Sequence, residues 1–203
     1  MQPVKNIIFD LGGVLMNLDL PGSRQAFHKL GVSEIEELFR NGHSDSFFRR
    51  YETGHLNDEE FIATARTHAL AGTGDHDILN AWNSMLRDFP SQNVAFLDQL
   101  KDRYRLFLFS NTNSLHLQSF QKSFREIYSR ELDSLFEKAW YSHVINRRKP
   151  DVEAFRFVVE DAKLEAAETL FIDDTLPNVA GARAAGLQAV HLEPGRTIMD
   201  LGL

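Results

Sequence analysis

The sequence predicts an α/β fold, a doubly wound parallel (Rossmann-like) sheet core with an inserted α-helical bundle as a cap. Three observations support this prediction. Short, continuously apolar segments alternate with helical patterns, as in parallel sheets covered on both faces. The alternation is interrupted once, between residues 17 and 90. The 203 residues are 43% hydrophobic and 25% charged, which suits one globular core with a modest insertion.

The predicted strands are apolar runs rich in β-branched and aromatic residues, without the alternation of a half-exposed strand. They cover residues 6–11, 105–109, 170–172 and 188–192, with a weaker fifth run at 139–142. Helical periodicity occupies residues 94–100, 115–128, 152–162 and 178–185. The order of these elements therefore predicts a parallel sheet with helical crossovers.

Residues 17–90 instead show successive amphipathic helices separated by glycines and prolines. We therefore predict a core domain of residues 1–16 and 91–203, with a helical cap of residues 17–90. Asn57 and Glu60 have the spacing of a capping box at a helix start. The insertion also carries enough apolar side chains for a small bundle: Phe27, Leu38, Phe39, Phe47, Phe48, Tyr51, Phe61, Ile62, Ile78, Trp82, Met85 and Leu86.

Composition narrows the classes of function. The chain has 22 basic and 29 acidic residues and a net charge of −7, which argues against nucleic acid as a partner. It contains no cysteine, so disulfides and thiolate metal sites are excluded. No apolar run approaches the roughly 18 residues of a membrane span, and the N-terminal run lacks a cleavage site. We expect a cytoplasmic protein with no membrane partner.

Polar side chains follow the predicted strands where each strand ends. Asp10 follows the first run, Ser110 and Asn111 follow the second, and Asp173 and Asp174 follow the run at 170–172. Lys149 lies just before a helix that begins near Pro150. Because the carboxyl ends of parallel strands meet at one edge, where α/β proteins bind ligands, these groups are expected to converge.

This set of side chains suits a phosphate group and a hard metal ion. Three neighbouring carboxylates repel one another unless a cation neutralises them. Mg²⁺ prefers such oxygen ligands, and no His or Cys cluster indicates zinc. Asp10 is then a nucleophile toward phosphorus, with Lys149 drawing charge from the phosphate and Ser110 and nearby amides holding its oxygens. Taken singly, each residue fits a turn, a cap or a solvated charge; their joint order favours the site.

The ordered motifs resemble those of the haloacid dehalogenase-like hydrolase superfamily over nearly the whole chain. The matching segments are Phe9-Asp10-Leu11-Gly12, Phe109-Ser110-Asn111, Arg148-Lys149-Pro150-Asp151, and Phe171-Ile172-Asp173-Asp174 with Asn178 and Gly181-Ala182. The insertion is similar to the family's first type of helical cap. Three details look most like the glucose-1-phosphate phosphatase and epoxide hydrolase N-terminal phosphatase branch: the Asp-Leu-Gly-Gly-Val-Leu start, Ser-Asn-Thr-Asn before His116, and Tyr51-Glu-Thr-Gly54.

The resemblance implies a Mg²⁺-dependent phosphatase that hydrolyses a small phosphorylated metabolite through an aspartyl-phosphate. It makes Asp10 and Lys149 catalytic and assigns substrate binding to Ser110, Asn111 and Lys149. The implied metal ligands are Asp10, the carbonyl of Gly12 and Asp174, with Asp173 in support. The resemblance implies neither an oligomeric state nor a pathway.

Gly12 departs from the family pattern, in which an Asp at this position protonates the leaving alcohol. Loss of a general acid costs a factor of about 10² to 10⁴, and less when the leaving group is acidic. We therefore expect an activated ester such as a sugar 1-phosphate. Asp19 and His116 are candidate replacements, and His43 and His55 lie in the cap. Asp19 also fits a cap of the first insertion helix, and His116 also fits a surface or helix-start histidine. The alternative is a metabolite-binding or regulatory protein that keeps the pocket with little turnover.

Overall fold

A five-stranded parallel sheet forms the centre of the molecule. The computed structural model describes residues 3–32 and 47–203. Strands β1 (Asn6–Phe9), β2 (Arg105–Ser110), β3 (Lys138–Tyr141), β4 (Thr169–Asp173) and β5 (Gln188–His191) pair in the order β3-β2-β1-β4-β5. This confirms the predicted sheet, and the weaker fifth run is a true strand. The strand order reverses between β1 and β4, which is where a crevice opens in such sheets.

Nine α-helices among the described residues surround the sheet and form the insertion. They are α1 (Leu20–Lys29), α2 (Phe47–Glu52), α3 (Asp58–Thr67), α4 (Asp75–Asn83), α5 (Ser91–Leu100), α6 (Ser114–Tyr128), α7 (Ser142–Ile145), α8 (Val152–Asp161) and α9 (Leu176–Ala184). Short 3-10 turns occupy Leu132–Leu135, Ala166–Glu168 and Ile198–Leu201. None of the helices in the described ranges is long and apolar enough to cross a membrane.

The central strands are buried on both faces, as their continuous apolar sequences predict. Ile7 and Phe9 of β1 belong to one hydrophobic cluster, whereas Ile8 between them packs into the cluster on the opposite face. The prediction of full burial is wrong for β5, whose four residues are all partly exposed. The reason is its position, because β5 is an edge strand that pairs only with β4.

The insertion after β1 packs its own core. Phe61 is fully buried among Tyr51, Phe48 and Trp82, and the Tyr51 and Phe61 rings stack at 4.1 Å. The predicted capping box is present, with reciprocal hydrogen bonds between Asn57 and Glu60 at 2.9 Å. The predicted core residues Leu38 and Phe39 and the candidate His43 lie outside the described residues.

The two chain crossings between core and insertion pair with each other. Asn17 N donates to Asp88 O at 2.9 Å, and Asp19 N donates to Met85 O at 2.8 Å. Leu18 and Leu86 form an antiparallel bridge between these bonds. The crossings are thus held as a short two-stranded connection. The domain boundaries at residues 16/17 and 90/91 stay a prediction, although this connection lies close to both.

Candidate active site

The carboxyl edge of the sheet gathers the predicted polar residues. Asp10 directly follows β1, Ser110 ends β2 and Asp173 ends β4, and both β2 and β4 pair with β1. Lys149 reaches them from the loop between α7 and α8. Parallel pairing therefore brings together residues that are separated by up to 163 positions in the sequence.

Lys149 lies between two carboxylates. Its side chain is completely buried, and its Nζ is 2.6 Å from Asp10 Oδ1 and 2.8 Å from Asp173 Oδ2. The same Nζ lies over the rings of Phe109 and Phe171, at 5.5 and 5.2 Å from their centres. A buried cation persists only with such compensation, so Asp10 and Asp173 are what keep this lysine charged inside the protein.

Asn111 fixes the backbone of Lys149. Its Nδ2 donates to Lys149 O and its Oδ1 accepts from Lys149 N, both at 2.9 Å. These reciprocal bonds connect the loop after β2 to the loop that carries the lysine. Asn111 also lines the cavity described below, so its predicted substrate contact stays a prediction beside this positioning role.

Asp173 is held by several donors at once. Thr175 N donates to Oδ1 at 2.8 Å, and Asn178 Nδ2 lies 3.0 and 3.1 Å from the two carboxylate oxygens. The residue is fully buried. Because Lys149 also donates to Oδ2, the orientation of this carboxylate is fixed. A fixed carboxylate fits a role in supporting the metal ligands better than a role as a ligand that moves to bind the metal.

Asp10, Asp173 and Asp174 form a candidate metal centre. Each offers a carboxylate oxygen, and these oxygens lie within 4.8 Å of one another. Gly13 leaves space for Asp174: a Cβ at Gly13 would lie 2.2 Å from Asp174 Oδ2, and its φ is +79°. An all-oxygen donor set beside backbone without side chains fits Mg²⁺.

Burial and the neighbouring acidic groups shift the pKa values of the site residues. Burial raises the pKa of Asp10 to about 7; Lys149 opposes this increase and Asp173 adds to it. Burial and the charge of Asp173 also raise the pKa of Asp174. Burial lowers the pKa of Lys149, but Asp10 and Asp173 outweigh it and leave the value above the ordinary one. One lysine does not balance three carboxylates, so a further cation is favoured.

A cavity of about 240 Å³ lies between the insertion and the site. Its polar lining comes mainly from Ser110 and the loop after it, and its apolar lining comes from the first loop and the insertion. The full lining is Leu11, Gly12, Met16, Leu18, Leu20, Glu52, Trp82, Met85, Leu86, Ser110, Asn111, Thr112, Asn113, His116 and Phe120. One end of this cavity suits a phosphate and the other suits its organic part.

The candidate proton donors are placed very differently. Asp19 caps α1 through Gly22 N at 2.8 Å and pairs with Arg87, and these bonds lower its pKa. It is the N-cap of α1 and does not line the cavity. His55 contacts Thr53 at 2.8 Å and lines a separate outer cavity.

His116 lines the cavity but is a buried structural histidine. Its Nε2 lies 3.1 Å from Trp82 O, which requires Nε2 to donate, and Nδ1 lies 3.2 Å from Asn113 Nδ2, which requires Nδ1 to accept. Burial lowers its pKa to about 4. Both nitrogens are therefore occupied in a neutral ring, which disfavours His116 as the proton donor.

Sequence reasoning missed Glu52 and Ser142. Glu52 lines the cavity and pairs with Arg148 at 3.1 Å. Ser142 Oγ accepts from Thr112 N and donates to Thr112 O, both at 2.9 Å, and so fixes the loop after Ser110. The Tyr51-Glu-Thr-Gly54 segment draws attention to Glu52. The sequence does not show that Arg148 is its partner, however, and so assigns Glu52 no role. Nothing local in the sequence marks Ser142.

Residues 4–186 match the family of haloacid dehalogenase-like hydrolases, and the chain belongs to that family. It is 26% identical over 192 residues to the D-ribitol-5-phosphate phosphatase of Bacteroides thetaiotaomicron, covering 95% of this chain and 93% of that one. It is 28% identical to the sesquiterpene phosphatase astK of Aspergillus oryzae over 205 residues, or 97% and 94% of the two chains.

A crystal structure provides the geometric comparison. The haloacid dehalogenase family enzyme BT-2542 of Bacteroides thetaiotaomicron, in complex with magnesium and inorganic phosphate, superposes with a TM-score of 0.89. The two chains are 34% identical, and the match covers 98% of each. The predicted superfamily is thus confirmed, while the branch within it stays a prediction.

Proposed function

We propose that this protein is a Mg²⁺-dependent phosphatase that hydrolyses a small phosphorylated metabolite through an aspartyl-phosphate on Asp10. The observation that carries the proposal is Lys149 between Asp10 and Asp173, beside a third carboxylate and a cavity with a polar end. The magnesium and phosphate held by BT-2542 support it, as do the phosphatase names of two relatives. The enzyme class is that of phosphoric monoester hydrolases.

The metal ligands in this proposal are Asp10, Asp174 and the carbonyl of Gly12, with Asp173 in support. When bound, Mg²⁺ supplies positive charge to the carboxylates and to the phosphate oxygens. Gly12 and Gly13 keep the loop free of side chains on this side. The outlying Asp174, which is more exposed than the other two acids, remains accessible to an incoming ion.

The chain's own residues perform the transfer. A carboxylate oxygen of Asp10 attacks phosphorus, the ester P–O bond breaks, and the leaving oxygen departs with the bonding electrons and takes a proton from solvent. Water then attacks the phosphoryl group, the bond to Asp10 breaks, and inorganic phosphate and the free carboxylate are released. Lys149 remains protonated throughout and stabilises charge on the phosphate, with the Ser110 hydroxyl as a further donor.

The leaving group in this proposal is that of a sugar phosphate, such as a sugar 1-phosphate. Gly12 carries no acid, and a Cβ at this position would lie 2.7 Å from Leu18 Cδ1, so an apolar side chain occupies the adjacent space. An alcohol that leaves readily needs less protonation. The relatives' names allow either a sugar-alcohol or a terpene ester.

The test is phosphate release from sugar phosphates, nucleotides and apolar alkyl phosphates, with Mg²⁺ or with a chelator. We expect Mg²⁺-dependent turnover that Asp10→Asn lowers by at least about 10³-fold, because the covalent step is lost. Undiminished turnover in Asp10→Asn would contradict the covalent mechanism. Binding of a metabolite without any turnover would instead favour the regulatory alternative.

A further inference from the structure

One acidic side chain of the insertion lines the candidate site. Glu52 is the last residue of α2, and its side chain is 27% exposed. Among the described residues it is the only carboxylate in the lining of the 240 Å³ cavity, which it shares with Gly12 and Ser110. The mechanism above gives it no task.

The core holds Glu52 in place. Arg148 Nη2 lies 3.1 Å from Glu52 Oε2, and the Arg148 side chain is only 10% exposed. Arg148 directly precedes Lys149, so this ion pair connects the insertion to the loop that carries the buried lysine. A largely buried arginine with a carboxylate partner makes a well-defined geometry, unlike a surface pair.

The neighbours of Glu52 in residues 51–54 hold this segment of the chain against the core. Asn146 Nδ2 donates to Thr53 O at 2.8 Å. Gly54 has a φ of +71°, and a Cβ there would lie 2.3 Å from His143 O, so the backbone approach requires glycine. Tyr51 OH donates to Asp58 at 2.7 Å and accepts from Leu115 N at 3.2 Å. The carboxylate is therefore presented by a fixed backbone.

The rest of the insertion's described contribution to this cavity is mostly apolar. Trp82, Met85 and Leu86 form that wall, and Leu18 continues it beside Gly12. His116 is already bonded through both ring nitrogens. Among the described residues of the insertion, Glu52 is therefore the one charged acceptor that a ligand hydroxyl in this cavity can meet. A carboxylate has about four acceptor sites, so its pairing with Arg148 is compatible with a further donor.

We propose that Glu52 is a specificity-determining residue that accepts a hydrogen bond from a hydroxyl of the alcohol portion of the substrate, and that Arg148 is its positioning residue. The inference rests on the proposed phosphatase function. It selects polyhydroxylated phosphate monoesters, whose C–H faces pack on the apolar wall, over esters of purely apolar alcohols. The geometry that carries it is one oriented carboxylate in a cavity whose other described lining from the insertion is apolar.

The experiment compares two esters of equal carbon number, ribitol 5-phosphate and n-pentyl phosphate, with p-nitrophenyl phosphate as a reporter of basal activity. We expect the parent to prefer ribitol 5-phosphate. Glu52→Leu should raise its KM roughly ten- to hundredfold, the effect of losing a hydrogen bond to a charged group. Hydrolysis of the other two esters should change by less than about threefold, since neither offers a hydroxyl.

Conservative and control variants separate specificity from stability. Glu52→Gln retains an acceptor oxygen and should recover part of the affinity, while Arg148→Lys should shift KM rather than kcat. Glu59→Gln is the matched control, because Glu59 is exposed in the first turn of α3 and does not line the cavity. It should behave as the parent does.

Three results would overturn the inference: equal losses on all esters in Glu52→Leu, a loss of kcat on n-pentyl phosphate that marks a proton donor, or a parent that prefers n-pentyl phosphate. Calorimetric binding of ribitol 5-phosphate to the parent and to Glu52→Leu gives a readout without turnover. Absence of hydrolysis of every ester would refute the proposed function, while weaker binding by Glu52→Leu would still support this role of Glu52.

Discussion

Gly12 and Gly13 are adjacent but are glycines for different reasons. A Cβ at Gly12 would meet only the flexible end of Leu18, at 2.7 Å. A Cβ at Gly13 would meet the Asp174 carboxylate at 2.2 Å, and Gly13 adopts a positive φ that other residues rarely adopt. The second glycine therefore maintains the candidate metal centre, whereas Leu18 occupies the space beside the first, where the family pattern has an acidic side chain.

We predict that Gly13→Ala raises the Mg²⁺ concentration for half-maximal activity by about tenfold or more, as is typical when the surroundings of a metal ligand are disturbed. The measurement is a Mg²⁺ titration of phosphate release. Gly12→Ala is the matched control and should shift the midpoint far less, because Leu18 can rotate away. Equal shifts in the two variants would disprove the distinction.

His116 makes stability depend on pH. Burial lowers its pKa to about 4, whereas an unfolded histidine titrates near 6.5. Between these values the unfolded chain binds a proton that the folded chain does not, so stability is present above about pH 6.5 and falls as the pH decreases toward 4. We expect His116→Gln to lose about 2 kcal/mol less stability than the parent between pH 7 and pH 5.

The measurement is urea unfolding of both proteins at the two pH values. His28→Gln is a suitable control, because His28 is exposed on α1. It should lose as much stability as the parent. If His116→Gln also does so, another group accounts for the pH dependence.

At the scale of elements, helix ends and crossings hold the insertion in its position. The crossings pair through the Leu18–Leu86 bridge, and Asp19 caps α1 while contacting Arg87 on the returning crossing. The capping box of α3 follows the Tyr51–Gly54 segment that docks on the core. Local helix signals therefore contribute to presenting Glu52.

We predict that Asn57→Ala lowers the free energy of unfolding by about 1 kcal/mol, the usual effect of losing an N-cap side chain. Asn57 Oδ1 accepts from Glu60 N at 2.9 Å, and alanine offers no replacement. Chemical unfolding measures the change. Glu59→Gln in the same helix turn should stay within about 0.5 kcal/mol of the parent. If Asn57→Ala leaves the free energy of unfolding unchanged, water satisfies the free amides at the helix start equally well.

At the scale of the whole molecule, the strand order concentrates charge. β1 lies between β2 and β4, so Asp10, Ser110 and Asp173 share one edge, and Lys149 is added from a loop. Asp10, Asp173 and Asp174 together carry more negative charge than this buried lysine can neutralise. A bound cation is expected to reduce the repulsion among the three carboxylates.

We predict that Mg²⁺ at about 100 times its dissociation constant stabilises the folded state by about 2.7 kcal/mol. For a chain of this size this corresponds to an increase in Tm of about 5–10 °C. Asp174→Asn should lose most of the shift, because it removes one of the proposed metal ligands. Thermal unfolding with Mg²⁺ and with chelator gives the comparison, and an unchanged shift in Asp174→Asn would rule Asp174 out as a ligand.

The sheet, the insertion and the main residues of the candidate site could all be predicted from the amino-acid sequence. Asp10, Ser110 and Asp173 could be chosen because each ends an apolar strand, and parallel strands bring their carboxyl ends to one edge. That inference needs only local pattern and general rules of topology.

The pairing of the side chains, in contrast, could be seen only in the folded protein. The structure shows Lys149 between Asp10 and Asp173, and it shows Glu52 paired with Arg148. It also shows a neutral His116 ring that donates to Trp82 O. The last two outcomes depend on how the insertion packs on the core, and all three depend on contacts between residues far apart in sequence. No local pattern encodes such contacts, because the burial of a side chain and the geometry of its partners arise only when distant segments of the chain come together.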